Sequence, residues 1–144
     1  MPAGPSVCDM IANAAFYYGA VHMLATMPRA PESALPFAQA RDNFYRAARH
    51  GLGASIDWLD GRSGPVVELL ESLLPLAGEG LRRQGIDAPD IERYLDVIAV
   101  RLRTRRNGAA WQLAHHERHH DPFRLTADYL EHQRSGMPVH EWTV

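Results

Sequence analysis

Apolar residues recur at steps of three and four along most of this chain, a periodicity that packed helices satisfy and strands do not. Val7, Ile11, Ala14, Tyr18, Val21 and Ala25 keep the step near the start, and Ile91, Leu95, Ile98 and Leu102 keep it further on. Side chains so spaced fall on one side of an α-helix, whereas a strand would send them to both faces. Start and stop signals divide the pattern into five to six helices. Ser6 followed by Asp9 reads as a capping box, in which each side chain satisfies the other residue's backbone donor. Pro28 closes this first helix, and the three prolines of residues 28–36 read as a linker loop. Pro36 suits the first turn of a second helix and Gly51 its left-handed end. A third helix is predicted from Pro65 to about Gln84, with a kink or break at Pro75, which has no N–H to donate. Asp87 opens a fourth helix, which Asn107 and Gly108 interrupt. A fifth runs from about Ala109 to His120, and a sixth starts at Asp121-Pro122 and reaches about Gln133. One short strand pair fits near residues 56–62, and residues 137–144 read as irregular. The expectation is a mainly α chain, one helical domain over residues 1–144.

Composition narrows the function. All 15 basic residues are arginine, so the lysine of a phosphate-binding P-loop and the lysine amine of Schiff-base chemistry are both excluded. A formal charge of −2 argues against general nucleic-acid binding, which needs a basic excess over the phosphates. The single cysteine, Cys8, rules out an internal disulfide and a multi-cysteine metal site, which fits a cytoplasmic setting. No run of 18 apolar residues is present, and the N-terminus has neither the positive nor the apolar part of a secretory signal, so no membrane partner is expected.

Three groups of residues carry candidate chemistry. On the second helix Asn43, Arg46 and His50 share one face, with Arg49 beside it. An amide, two guanidiniums and an imidazole suit a carboxylate or phosphate. The plain alternative is a solvated face with an Asp42–Arg46 ion pair at four-residue spacing. Further on, His116, Glu117 and His120 spell His-Glu-x-x-His, the zinc-protease pattern, with Glu141 as a conceivable third ligand. The plain alternative is a polar helix end, since Asp121-Pro122 stops the helix directly after His120. Finally, Arg101, Arg103, Arg105 and Arg106 crowd a predicted helix C-terminus. There they complement the dipole or, on the sharper reading, contact phosphate or RNA. Cys8 lies in a first helical turn, where a thiol is activated only if a partner base is near.

Four stretches, in order, carry a resemblance. They are Pro5-Ser6-Val7 with Ala12-Asn13-Ala14-Ala15-Phe16-Tyr17-Tyr18-Gly19, then Asn43-Phe44-Tyr45-Arg46-Ala47-Ala48-Arg49-His50-Gly51-Leu52-Gly53-Ala54, then the leucine-rich residues 70–81, then Asn107-Gly108-Ala109-Ala110-Trp111-Gln112. Together they resemble the C-terminal region of the glutamate–cysteine ligase type 2 family, the bacterial carboxylate–amine ligases. The likeness spans roughly residues 2–112 and leaves residues 113–144 as a variable, His-rich helical tail. It implies the helical part of an α+β ligase that joins an amine to the γ-carboxylate of glutamate, using ATP and magnesium through an acyl phosphate. It implies that Asn43, Arg46 and Arg49 lie near the catalytic platform as anion-binding residues. Phe44 and Tyr45 depart from the family's usual basic and aromatic pair. The magnesium-holding glutamates belong to antiparallel strands upstream of the region matching Pro5. The expectation is therefore a portion that is inactive alone, needing an N-terminal catalytic part or a homo-oligomer, with no cofactor of its own. The competing readings are a stand-alone helical interaction module and a metal-dependent hydrolase built on His116 and His120.

Overall fold

The structure is a computed structural model and describes residues 4–144. The described residues form α1 (Val7–Ala25), α2 (Pro31–Ala34), α3 (Phe37–His50), α4 (Val66–Arg83), α5 (Ala88–Thr104), α6 (Gly108–His119) and α7 (Pro122–Ser135). A two-stranded antiparallel hairpin, β1 (Ser55–Asp57) with β2 (Ser63–Pro65), sits between α3 and α4. The fold is mainly α, as the periodicity predicts. None of these helices is long and apolar enough to cross a membrane.

Helix α1 opens as expected. The Ser6 hydroxyl accepts from the Asp9 N–H at 3.2 Å, and the Asp9 carboxylate accepts from the Ser6 N–H at 3.2 Å. The helix then packs chiefly on α4 and on α5. The α1–α4 contact is made by backbone. A Cβ on Gly19 would collide with the Ala77 carbonyl, and one on Gly80 would collide with the Gly19 carbonyl. Only residues without side chains let two helices approach so closely. The main core lies beside this contact: Ala12, Ala54, Val66, Val67, Val97, Ile98 and Leu102 are buried together, with Phe16, Leu70 and Tyr94 packed against them.

Four expectations are corrected. Residues 28–36 are not all loop, because Pro31 starts the short helix α2. Of the kink or break expected at Pro75, the break is absent: helix α4 runs through it. Pro75 and the residue four before it, Glu71, both face solvent, so water can take the carbonyl that the proline leaves free. Residues 137–144 are not simply irregular. Val139–Glu141 form a 3₁₀ turn, and Val139 and Trp142 are buried with Trp111 in a second core. Two indoles carry large apolar areas and each needs an acceptor for its N–H. Backbone carbonyls of this segment serve both: Trp142 Nε1 donates to Met137 O at 2.9 Å, and Trp111 Nε1 to Thr143 O at 2.8 Å. The fourth correction is Arg101, expected with Arg103, Arg105 and Arg106 to complement a helix dipole or to contact phosphate or RNA. It is buried against Asp9, with Nε 3.7 Å from the carboxylate.

The backbone contact sets a direct test. Gly80→Ala should cost about 2 kcal/mol or more, because overpacking a tight contact forces the backbones apart. Gly53→Ala, where nothing lies within 4 Å of the added carbon, should change stability little. Urea denaturation of the two variants beside the parent would measure the difference.

Candidate anion-binding site

The sequence gathers its candidate anion-binding residues on α3, and α3 itself explains what two of them do. This helix buries none of its residues fully and is held to the body mainly through β1. Asn43 supplies the attachment. Its Nδ2 donates to Asp57 O at 2.7 Å, and its Oδ1 accepts from the Asp57 N–H at 2.8 Å. One amide thus satisfies both backbone groups of a strand residue, as a neighbouring strand would. Arg46 completes the network. Its Nη2 donates to Asn43 Oδ1 at 2.9 Å and pairs with the Asp57 carboxylate at 2.6 Å. The Ser63 hydroxyl donates to the same carboxylate from β2. Hydrogen bonds from Ser63 and Arg46 hold the Asp57 carboxyl below its ordinary range. The expected Asp42–Arg46 pair is not made: Asp42 pairs with Arg41, and Arg46 turns to Asp57.

Arg49 stands outside this network. With His50 it lines an open groove of about 440 Å³, whose far wall is Arg105, Asn107 and the first turn of α6. The floor is the 3₁₀ turn Gly51–Gly53, where Gly51 takes a φ of 53° as the α3 cap. Arg105 Nη1 donates to Leu52 O at 3.0 Å, which fixes this guanidinium at the groove. The arrangement brings two arginines and a histidine to one concave surface, a donor set suited to a carboxylate or phosphate. Of the sequence candidates, then, Asn43 and Arg46 hold the fold together, while Arg49 and His50 face the groove. Arg105, read from sequence as a dipole partner or a phosphate or RNA contact, joins them. Its left-handed backbone, φ 57° at the end of α5, turns it there and has no sequence signal.

The other candidates are placed as follows. His116 and His120 have ring centroids 5.7 Å apart, but His120 leaves the helix as its left-handed cap. Glu141 turns to His140, at 3.6 Å. Among the described residues no group of three or more His, Cys, Asp or Glu side chains is placed to hold a metal ion. The neighbouring His115 is buried, packs tilted against Trp111 with ring centroids 5.0 Å apart, and bonds Asp128 through Nε2 at 2.9 Å. That hydrogen bond holds the Asp128 carboxyl below its usual range. Burial pushes the Cys8 thiol up, and the neighbouring Asp9 carboxylate adds to the shift, the opposite of what thiolate activation needs. Arg106 donates to Trp142 O at 2.8 Å, which leaves Arg103 as the one arginine of that cluster with no ion pair or hydrogen bond among the described residues.

Compared with protein-family models, curated proteins and solved structures, the chain matches none.

Asn43→Ala should cost about 1–3 kcal/mol, because it leaves the Asp57 backbone groups unpaired. Arg49→Ala should be close to neutral for stability, and chemical denaturation separates the two. Asp57 and Asp128 both have depressed values in the fold. A depressed carboxyl stabilises fully above its unfolded value, roughly 4, and loses that contribution as pH falls through the lower folded value. Denaturation midpoints should therefore fall steeply below about pH 4, and Asp57→Asn should flatten that fall. With zinc added, the parent and Glu117→Gln should show the same background peptidase rate. A rate lost only in the variant would restore His116 and His120 as ligands.

Proposed function

We propose that the chain is the helical C-terminal portion of a glutamate–cysteine-ligase-like carboxylate–amine ligase, in which Arg49 holds an anionic group of substrate or nucleotide. Two supports combine: the four ordered motifs, and the outer face of α1. The observation that carries the reading is that face. Val7, Ile11, Tyr18 and Val21 are 61, 38, 64 and 42% exposed, while Ala12, Gly19 and Ala20 on the other side are buried. An apolar stripe left uncovered on a long helix marks an interface. In ligases of this kind the equivalent helix packs on the antiparallel catalytic sheet, and the same stripe would seat it here. Arg49, His50 and Arg105 supply donors for a carboxylate or phosphate. Among the described residues no group of three or more His, Cys, Asp or Glu side chains is placed to hold magnesium. The metal would be held by the sheet, and ATP largely so. The partner is thus a catalytic portion carrying that sheet, and the setting is cytoplasmic.

A second reading is a helical interaction module without catalysis. It is favoured by the exposed aromatics Phe37, Phe44 and Tyr45 on α3, which lie away from the α1 stripe.

The pure chain should release no ADP from ATP and magnesium with glutamate and a panel of amines. It should also self-associate or bind an apolar dye in sedimentation and fluorescence measurements, and Ile11→Glu should relieve both. ADP release by the pure chain that is lost in Arg49→Ala would place a complete site here and overturn the divided-enzyme reading. A monomeric, dye-silent parent would remove the ligase argument from α1 and leave the module.

A further inference from the structure

A second polar cluster lies beneath the first groove, between α1, α5 and the start of α6. Arg101, Asn13 and Asn107 line a cleft of about 210 Å³. Its remaining walls are Phe16, Leu52, Leu70, Ile98 and Leu102, all apolar. Arg101 is 9% exposed, and burial pushes its basicity down from the ordinary value.

The hydrogen bonds already made fix what the three polar side chains still offer. Arg101 Nη2 donates to Asn13 Oδ1 at 2.8 Å. Arginine cannot accept, so the oxygen of Asn13 must face it, and the Asn13 amide nitrogen is left as a donor. Asn107 caps α6 by accepting from the Ala110 N–H at 2.9 Å. The same logic turns its amide nitrogen into a second donor. Arg101 Nε spends itself on Val97 O at 3.4 Å and lies 3.7 Å from Asp9, while Nη1 has no hydrogen-bond partner among the described residues. The cleft therefore presents three donor groups, one of them charged, and no acceptor side chain. A pocket with apolar walls and a few convergent polar groups is the usual form of a small-molecule site.

We propose that this cleft binds a small monocarboxylate with an apolar tail, the carboxylate taken by Arg101, Asn13 and Asn107 and the tail lying against Phe16, Leu70 and Leu102. The guanidinium fork matches a planar carboxylate, and donors without acceptors select an anion over a neutral amide. At a liquid-like share of about 30 Å³ per water, the volume holds roughly seven waters, or a ligand of on the order of ten non-hydrogen atoms. The site does not rest on Arg49 or on the ligase reading. Its donors belong to α1, α5 and the cap of α6, and of its lining residues Leu52 and Asn107 also border the outer groove, whereas Arg101 and Asn13 do not.

The probe is phenylacetate, titrated calorimetrically into the full chain, with phenylacetamide and inorganic phosphate as comparisons. Phenylacetate should bind saturably in the millimolar range or tighter, and neither comparison should match it. Asn13→Asp keeps the acceptor for Arg101 and replaces the donor with a negative charge. Asn107→Asp keeps the helix cap, since Asp caps as well as Asn, and makes the same change. Each variant should retain the parent's melting temperature and bind phenylacetate about tenfold more weakly or worse, the loss expected when a charge-assisted contact becomes a repulsion. No saturable phenylacetate binding, equal binding of the amide or of phosphate, or unchanged binding in a folded Asn107→Asp variant would overturn the proposal. If Asn13→Asp fails to fold, Asn107→Asp decides it.

Discussion

A carboxylate with no exposure to solvent holds the two ends of this chain to its middle. Asp9 Oδ2 accepts from the Ser6 N–H and hydroxyl and from the Val139 N–H, at 3.2, 2.8 and 3.0 Å. Arg101 of α5 stands on its other side. A buried charge is costly unless donors replace the water it has lost. Here the donors come from the entry to α1 and from a turn 130 residues away, and α5 supplies the opposite charge. None of those segments can leave without stranding the charge, so the closure of the 3₁₀ turn onto α1 and the burial of Trp142 follow from a single side chain. Gln133 adds a weaker tie, donating to Pro5 O at 3.0 Å.

Helix α1 is built with its expected order inverted. Where α1 meets α4 the residues are small and backbones touch, and of the large residues Phe16 packs on the core while Val7, Ile11, Tyr17, Tyr18 and Val21 face outward. An isolated helix would bury its largest side chains first, because apolar area is the dominant favourable term. Keeping that area uncovered is sensible only if another surface completes it. The same holds for α3, which hangs from the hairpin by Asn43 and Arg46 and displays its aromatics. The cleft behind Arg101 and the outward groove at Arg49 share Leu52 and Asn107 as lining, so whatever settles on α3 lies close to both.

The helices were legible because periodicity, proline and capping residues are local signals. Ser6, Asp9, Pro36, Gly51 and Asp121 each mark a boundary that the structure keeps. What escaped the sequence depends on partners distant along the chain. Nothing near Arg101 announces Asp9, and Asn43, read as a ligand-binding amide or part of a solvated face, gives no local sign of the strand it clamps. Solvent on the Pro75 face of α4 decides whether that proline breaks the helix, and facing is a tertiary fact. The tail looked irregular because only two of its residues, Val139 and Trp142, are buried, too few to show a period. The anion site was legible in part. Arg49 and His50 are local to one helix, whereas Arg105 reaches the groove only through a left-handed turn.

The three tryptophans divide between two places, with unlike surroundings. Trp58 is half-buried in the loop joining β1 to β2, close to the α3 attachment. Trp111 and Trp142 meet edge to face at 5.4 Å, and His132 lies flat against Trp142 at 5.1 Å. The molecule thus carries two separate optical reporters. Emission from the buried pair should lie to the blue of that from Trp58, which follows the hairpin and whatever docks beside it. Loosening of the C-terminal core and loosening of α3 would be told apart by colour alone, without attaching a label.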